Sequence, residues 1–195
     1  QTALPGRKEP IEVVAHASVV GALAGQNAAL DVQASLIPPT AQAMQAQATA
    51  RIQPWSVQPL VQAQAQWQSL DLATLWPQAP RTRLSGQAAV TPDGDGWKST
   101  VEASNALPGP WDQQRLPLEK LNARLAFNKN LWSLESLQAR GAQGRVDAQA
   151  QANADNLATG WLGLATVTGI NPAALHSQLA AASISGSLRA EPADG

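Results

Sequence analysis

The chain alternates. In "VQAQAQWQ", residues 61–68, Val61, Ala63, Ala65 and Trp67 take every other place, and Gln62, Gln64, Gln66 and Gln68 fill the gaps. Alanine and glutamine are good helix formers, so propensity and period disagree. Offsets of three and seven decide between them, and from Val61 both land on glutamine, Gln64 and Gln68. A helix would spread these apolar residues around most of its circumference, whereas a strand gathers them on one face. The same test gives the same answer for Met44, Ala46, Ala48, Ala50 and Ile52 against Gln45, Gln47, Thr49, Arg51 and Gln53. It does so again for Val146, Ala148, Ala150, Ala152 and Ala154 against Asp147, Gln149, Gln151, Asn153 and Asp155. The pattern predicts strands buried on one face, with marginal Ala/Gln helices as the alternative.

Strands are expected at 11–20, 29–37, 44–53, 60–70, 83–91, 97–104, 118–128, 131–139, 143–155, 161–168 and 183–191. Prolines mark the breaks: Pro38, Pro39, Pro54, Pro59, Pro77, Pro80, Pro92, Pro108 and Pro110. A residue without an N–H is tolerated there in a sheet protein. "TPDGDG" reads as a hairpin turn, and so does Asn128-Lys129-Asn130. Strands of about ten residues span roughly 33 Å, longer than usual. Two segments break the rule. "LDLATLWP" from Leu70 has Asp71 in the N-cap place, and "INPAALHS" from Ile170 has Asn171 as N-cap with Pro172 first in the helix. Each reads as one or two helical turns. They align without a gap at an offset of one hundred positions, and "LSG" at 84–86 then meets "ISG" at 184–186. A strand, short helix, strand unit therefore recurs at about 60–92 and 160–192. Residues 1–59 read as a strand-rich part of the same sheet, and 60–195 as the repeat-bearing part of one continuous fragment. The start, "QTALPGRKEP", reads as that of a piece of a longer protein.

Composition narrows the functions. Net charge is −1 over 195 residues, which gives no electrostatic case for nucleic acid or anionic headgroups. Charged residues make up only 14%, so Gln, Asn, Ser and Thr do the solvating. Cysteine is absent, which removes disulfides, thiolate metal sites and a cysteine nucleophile. No apolar run is long enough to cross a bilayer as a helix. Seven Trp, one Phe and no Tyr do not supply the aromatic girdles of a transmembrane barrel.

Catalytic and metal chemistry finds no foothold. His16 and His176 are the only histidines and have no partners at ligand spacing. His176 takes the place of Trp76 in the other copy and reads as a packing or solvent-facing residue. Asp93 and Asp95 read as turn residues, because a calcium loop needs further oxygens and a late Glu. Glu102, Glu119 and Glu135 fall on polar faces or strand ends. No nucleophile elbow, phosphate loop or dinucleotide fingerprint appears. Trp55, Trp97, Trp111, Trp132 and Trp161 lie near strand ends and turns as rim or core fillers, with lipid contact by Trp67 or Trp132 the alternative. No cofactor is expected, and an enzyme is the least supported class.

An apolar sheet face must be covered by a second layer, by closure, or by an apolar ligand. Pattern alone leaves a β-sandwich and an open trough both standing. Three phrases bear on that choice: "LDLATLWPQAPRTRLSGQAAVTPDGDGWKSTVEASN", "PGPWDQQRLPLEKLNARLAF" from Pro108, and "VTGINPAALHSQLAAASISGSLRA" from Val167. In that order they resemble the TamB family, the inner-membrane subunit of the translocation and assembly module, within the AsmA-like bridge-type lipid transfer proteins. The resemblance covers about residues 60–191. It implies an all-β fold with one or two short helices, its long antiparallel strands in a curved open sheet with an apolar trough (β-taco-like). It also implies an internal segment of an inner-membrane-anchored protein crossing the periplasm of Gram-negative bacteria.

On that likeness the chain is expected to be part of a conduit moving phospholipid between inner and outer membranes in outer-membrane biogenesis. The acyl chains would lie on Val61, Ala63, Ala65, Trp67, Leu121, Ala123, Leu125, Phe127, Val146, Ala148, Ala150 and Ala152. Lipid transfer needs an apolar path and no catalytic group. The alternative is a β-scaffold assisting autotransporter and barrel assembly and secretion, with an outer-membrane barrel partner engaged through other parts of the full-length protein. A passive segment of an adhesin or β-solenoid fits less well, because it calls for shorter repeats and many inward Val and Ile. The segment itself is not expected to span the membrane or to bind nucleic acid.

Overall fold

The computed structural model describes residues 14–25, 28–37, 44–76 and 78–192. Its strands, in chain order, are β1 (Val14–Ala22), β2 (Ala29–Ile37), β3 (Gln45–Ile52), β4 (Leu60–Leu70), β5 (Leu84–Asp93), β6 (Gly96–Asn105), β7 (Lys120–Asn128), β8 (Leu131–Gly141), β9 (Gly144–Asn153), β10 (Trp161–Ile170) and β11 (Ile184–Ala190). One-turn helices α1 (Leu72–Leu75) and α2 (Pro172–Leu175) join β4 to β5 and β10 to β11. Each strand pairs antiparallel with its chain neighbours, so spatial order equals sequence order from β1 to β11. Each expected strand meets one of these. Residues 11–13 of the first, and the prolines Pro38, Pro39 and Pro77, lie outside the described residues.

The architecture is the open, all-β, long-stranded one, and the sandwich is excluded because there is a single sheet. The sheet is uncurled, so its apolar side is an open strip and not an enclosed trough. The reason lies in the side chains. Curling would bring alanine methyls together, and each contributes little burial at about 25 cal/mol per Å².

The turns follow local chemistry. β5 runs through Pro92 to Asp93, further than the proline suggests, because only Gly94 and Asp95 are needed to reverse the chain. Gly94 takes φ +58°, the positive value that a type II′ turn requires at its first position. Between β7 and β8, Lys129 and Asn130 both have positive φ, 46° and 67°, as in a type I′ turn.

The repeat is structural. The register skips between Trp67 and Leu70 where β4 meets β5, and between Val167 and Ile170 where β10 meets β11. At the first skip, the N–H of Ser69 (φ 52°) donates to Ser85 Oγ at 3.0 Å. At the second, the N–H of Gly169 (φ 67°) donates to Ser185 Oγ at 2.9 Å. The serine of each Ser-Gly pair thus holds a bulge. Next, Asp71 Oδ1 accepts the N–H groups of Ala73 and Thr82 at 3.1 and 3.0 Å. Asn171 Oδ1 accepts those of Ala173 and Ala182 at 3.1 and 3.3 Å. Each cap closes its helix and pins the returning chain.

There is almost no core. Among the described residues the buried hydrophobic side chains are Ala28, Met44, Ala123 and Ala142. The accessible surface is 12802 Å², against about 8,800 Å² for a compact monomer of this mass.

The two glycines of the Ser-Gly pairs give a prediction. A Cβ on Gly86 would strike the Glu102 carbonyl oxygen and come within 2.7 Å of Trp67 Cζ2, whereas one on Gly186 meets nothing within 4 Å. Gly86→Ala is expected to cost about 1–3 kcal/mol by overpacking. Gly186→Ala is expected to change stability by less than about 0.5 kcal/mol. Urea unfolding midpoints of the two variants, compared at unchanged slope, check the difference.

Candidate functional site

Pairing registers turn eleven separate patterns into one surface. Along one row, Ala17 faces Ala34, then Ala48, Ala65, Ala88, Val101, Ala123, Leu137, Ala148, Ala165 and Leu188. Every member is apolar and every strand contributes one. At about 4.8 Å per strand the row runs roughly 48 Å. The opposite face carries Gln33, Thr49, Gln64, Ala89, Thr100 and Arg124 in a parallel row, polar at all but one place. A shallow hollow on that polar side is lined by Gln45, Gln66, Gln68, Gln87 and Glu102.

Ala63, Ala65, Trp67, Leu121, Ala123, Leu125, Phe127, Val146, Ala148, Ala150 and Ala152 all lie on the apolar strip. They do not form one pocket, because β5 and β6 separate β4 from β7, and β8 separates β7 from β9. Val61 differs. Gln62 pairs with Arg51 and Leu60 with Ile52, so Val61 is the extra residue of a bulge and stands outside the paired row. Its side chain is half-buried, like those of Ala63 and Ala65.

The strip is open. In β4 the side chains of Val61, Ala63, Ala65 and Trp67 are half-buried while their glutamine neighbours are exposed. Half-burial here comes from strand neighbours alone. On β8, Trp132 is 50% exposed, and on β11, Leu188 is 63% exposed. No second layer of described residues covers them, since those strands form one sheet. β11 is exposed along its whole length and has no partner on its outer side among the described residues.

Register also reveals a feature that no local pattern showed. Trp97, Phe127 and Trp132 stand side by side on β6, β7 and β8, and Trp161 follows one strand beyond, across Ala152. The Phe127 and Trp132 rings are 4.6 Å apart, centre to centre, tilted by 38°. In sequence these residues are separated by turns, and only pairing assembles them into one rim.

At the far end of the strands the long connections join up. The chain at Arg81 bonds to Gln114 (N–H to O, 2.8 Å) beside the 3-10 turn Trp111–Gln113. Asp112 of that turn accepts from the Ser177 N–H at 2.9 Å and from the Ser177 hydroxyl. Thr82 and Asn105 anchor the same region and are fully satisfied. Thr82 Oγ1 donates to Leu70 O at 3.0 Å and accepts from the Leu72 N–H at 2.9 Å. Asn105 Oδ1 accepts from Arg83 and Leu107, and its Nδ2 donates to Leu116 O. Sequence patterns missed this tie because a contact between residues 112 and 177 leaves no periodic trace.

Serine, histidine and carboxylate meet here: the Ser177 hydroxyl donates to Asp112, and His176 Nδ1 lies 4.0 Å from Asp112 Oδ1, so histidine is not the group that holds the serine proton. Among the described residues no cluster of three or more His, Cys, Asp or Glu could hold a metal. Among them also, no helix is long and apolar enough to cross a membrane. Glu102, Glu119 and Glu135 are solvent-exposed, as expected.

The chain is thus a single-layer antiparallel sheet with one polar face and one uncovered apolar face. Comparison with protein-family models, with curated proteins and with solved structures gave no match.

The loop tie is pH-sensitive in a defined sense. Hydrogen bonds from Ser177, side chain first and backbone second, hold the Asp112 carboxyl below its ordinary value of 3.8. A depressed carboxylate stabilises the fold above its unfolded pKa, and that contribution is lost as pH falls through the folded one. The Ser177 amide resonance is therefore expected to show a step below the ordinary Asp range, as Asp112 takes up its proton. Asp112→Asn should abolish that titration.

Proposed function

We propose that the apolar strip is a track for lipid acyl chains, and that this chain is a segment of a conduit carrying phospholipid across the periplasm between inner and outer membranes. The observation that carries this reading is the unbroken apolar row through all eleven strands with no second layer over it. A soluble monomer rarely leaves so large an apolar patch bare without a partner for it. Alanine suits the task, since small side chains leave room, and each CH₂ of an acyl chain gains about 0.8 kcal/mol on burial. The row runs across the strands, so the path lengthens with every strand added to the sheet. Resemblance of residues 60–191 to the TamB family supports the periplasmic setting and the phospholipid cargo.

A second reading has its own support. β11 is the last strand of the sheet among the described residues, and an edge strand can template another strand. On that reading the chain is a β-scaffold for outer-membrane barrels or autotransporters.

Lipid extraction and native mass spectrometry of the purified chain test the first reading. The expected outcome is bound phospholipid in the wild type. Ala148→Glu with Ala150→Glu should lose that lipid while keeping its strand circular-dichroism signal, because charges on an uncovered face can stay hydrated. Absence of lipid from the wild type would sink the conduit. Crosslinks running from β11 to nascent barrel strands, with none to lipid, would favour the scaffold.

A further inference from the structure

Resting on the lipid reading, we infer that phospholipids lie along the strands, with headgroups at the Trp97–Phe127–Trp132–Trp161 rim and acyl tails pointing toward the α1 and α2 end. The apolar strip has two unlike ends on β6 to β10. At the hairpin end stand these four aromatics. At the other end the same strands carry Ala103, Leu121, Ala139, Val146 and Val167 on the same face. Indole rings gather where hydrocarbon meets the polar headgroup layer, because an apolar body and a donating N–H suit that boundary. The indole N–H groups of Trp97, Trp132 and Trp161 have no protein acceptor among the described residues, while that of Trp55 is taken by Leu23 O at 2.7 Å. Trp132 is 50% exposed and Trp161 37%, so both can donate to an ester carbonyl or phosphate oxygen.

Length agrees. From Phe127 to Leu121 the strand rises about 20 Å, and one leaflet contributes about 15 Å of a bilayer's hydrocarbon. One set of acyl chains therefore fits between rim and loops. Charge does not point the other way. The cations Lys120, Arg140 and Arg145 near the loop end alternate with Leu121, Ala139 and Val146, which puts them on the polar face. At the aromatic end Lys98 is paired with Asp93 at 2.9 Å, and the strand ends and turns there carry Asp93, Asp95 and Asp155 against Lys98 and Lys129, so the rim has no surplus cation. A zwitterionic headgroup is the class that fits.

The test uses two photoreactive phosphatidylcholines, one with a diazirine in the headgroup and one with it at the acyl terminus. Each is loaded on the whole chain, irradiated, and mapped by mass spectrometry. Headgroup adducts are expected on Trp97, Trp132, Trp161 and residues 128–131, and tail adducts around Leu121, Ala139 and Val146. Trp132→Phe with Trp161→Phe keeps the apolar rim but removes two donors, and should cut rim headgroup adducts at least threefold with tail adducts retained. Headgroup adducts at the loop end, or spread evenly over both ends, overturn the orientation and leave the lipid track standing. Absence of adducts from both probes overturns the lipid track and the orientation together.

Discussion

Everything in this molecule follows from an apolar sheet face that the chain itself does not cover. Backbone groups inside the sheet are satisfied by neighbouring strands, so hydrogen bonding is complete without any second layer. Burial is not. A strand that packs only sideways leaves its apolar side chains half in water, as Ala63, Ala65 and Trp67 show. An ordinary domain resolves this by folding one layer onto another. Here no strand comes back, and spatial order never departs from chain order.

That topology dictates how the sheet is held. With no core, cohesion passes from each hairpin to the next. The long connections then do what a second layer does elsewhere. Arg81 meets Gln114, and Asp112 meets Ser177, so loops four strands apart are tied at one end. The buried polar side chains Thr82, in a connection, and Asn105, at the last position of β6, sit at this end of the sheet. The ties leave the apolar strip free. A fold that must keep one face available gains from putting its non-local contacts at the strand ends.

Much of this was legible in the sequence. Alternation in "VQAQAQWQ" located strands, and proline and Asp-Gly signals located turns. The hundred-residue offset located both helices and their caps. Three things were not legible. The sheet's lack of curl depends on a small balance of Ala burial that no motif records. The aromatic rim needs pairing register to place Trp132 beside Phe127. The loop seam rests on single hydrogen bonds between distant residues. The bulges are more instructive.

A one-residue slip in a strand sends every later side chain to the other face. Along β8 the apolar residues fall at Trp132, Leu134, Leu137 and Ala139, with one gap of three. Strict alternation would divide them between two faces. The register instead skips there, so Leu134 faces Leu125 and Ala150, and Leu137 faces Ala123 and Ala148. The same gap of three separates Trp67 from Leu70 and Val167 from Ile170, and a skip falls at each. These bulges therefore occur where the hydrophobic period lapses, and each one returns the next apolar side chain to the strip. Local irregularity in the backbone, which taken alone weakens pairing, is what keeps the apolar face continuous over all eleven strands. The extra residues are polar or glycine at three of the four sites: Gln68 and Ser69, Glu135 and Ser136, Thr168 and Gly169. At the fourth, the skip between Arg51 and Ile52, the extra residue is Val61, which is apolar and half-buried.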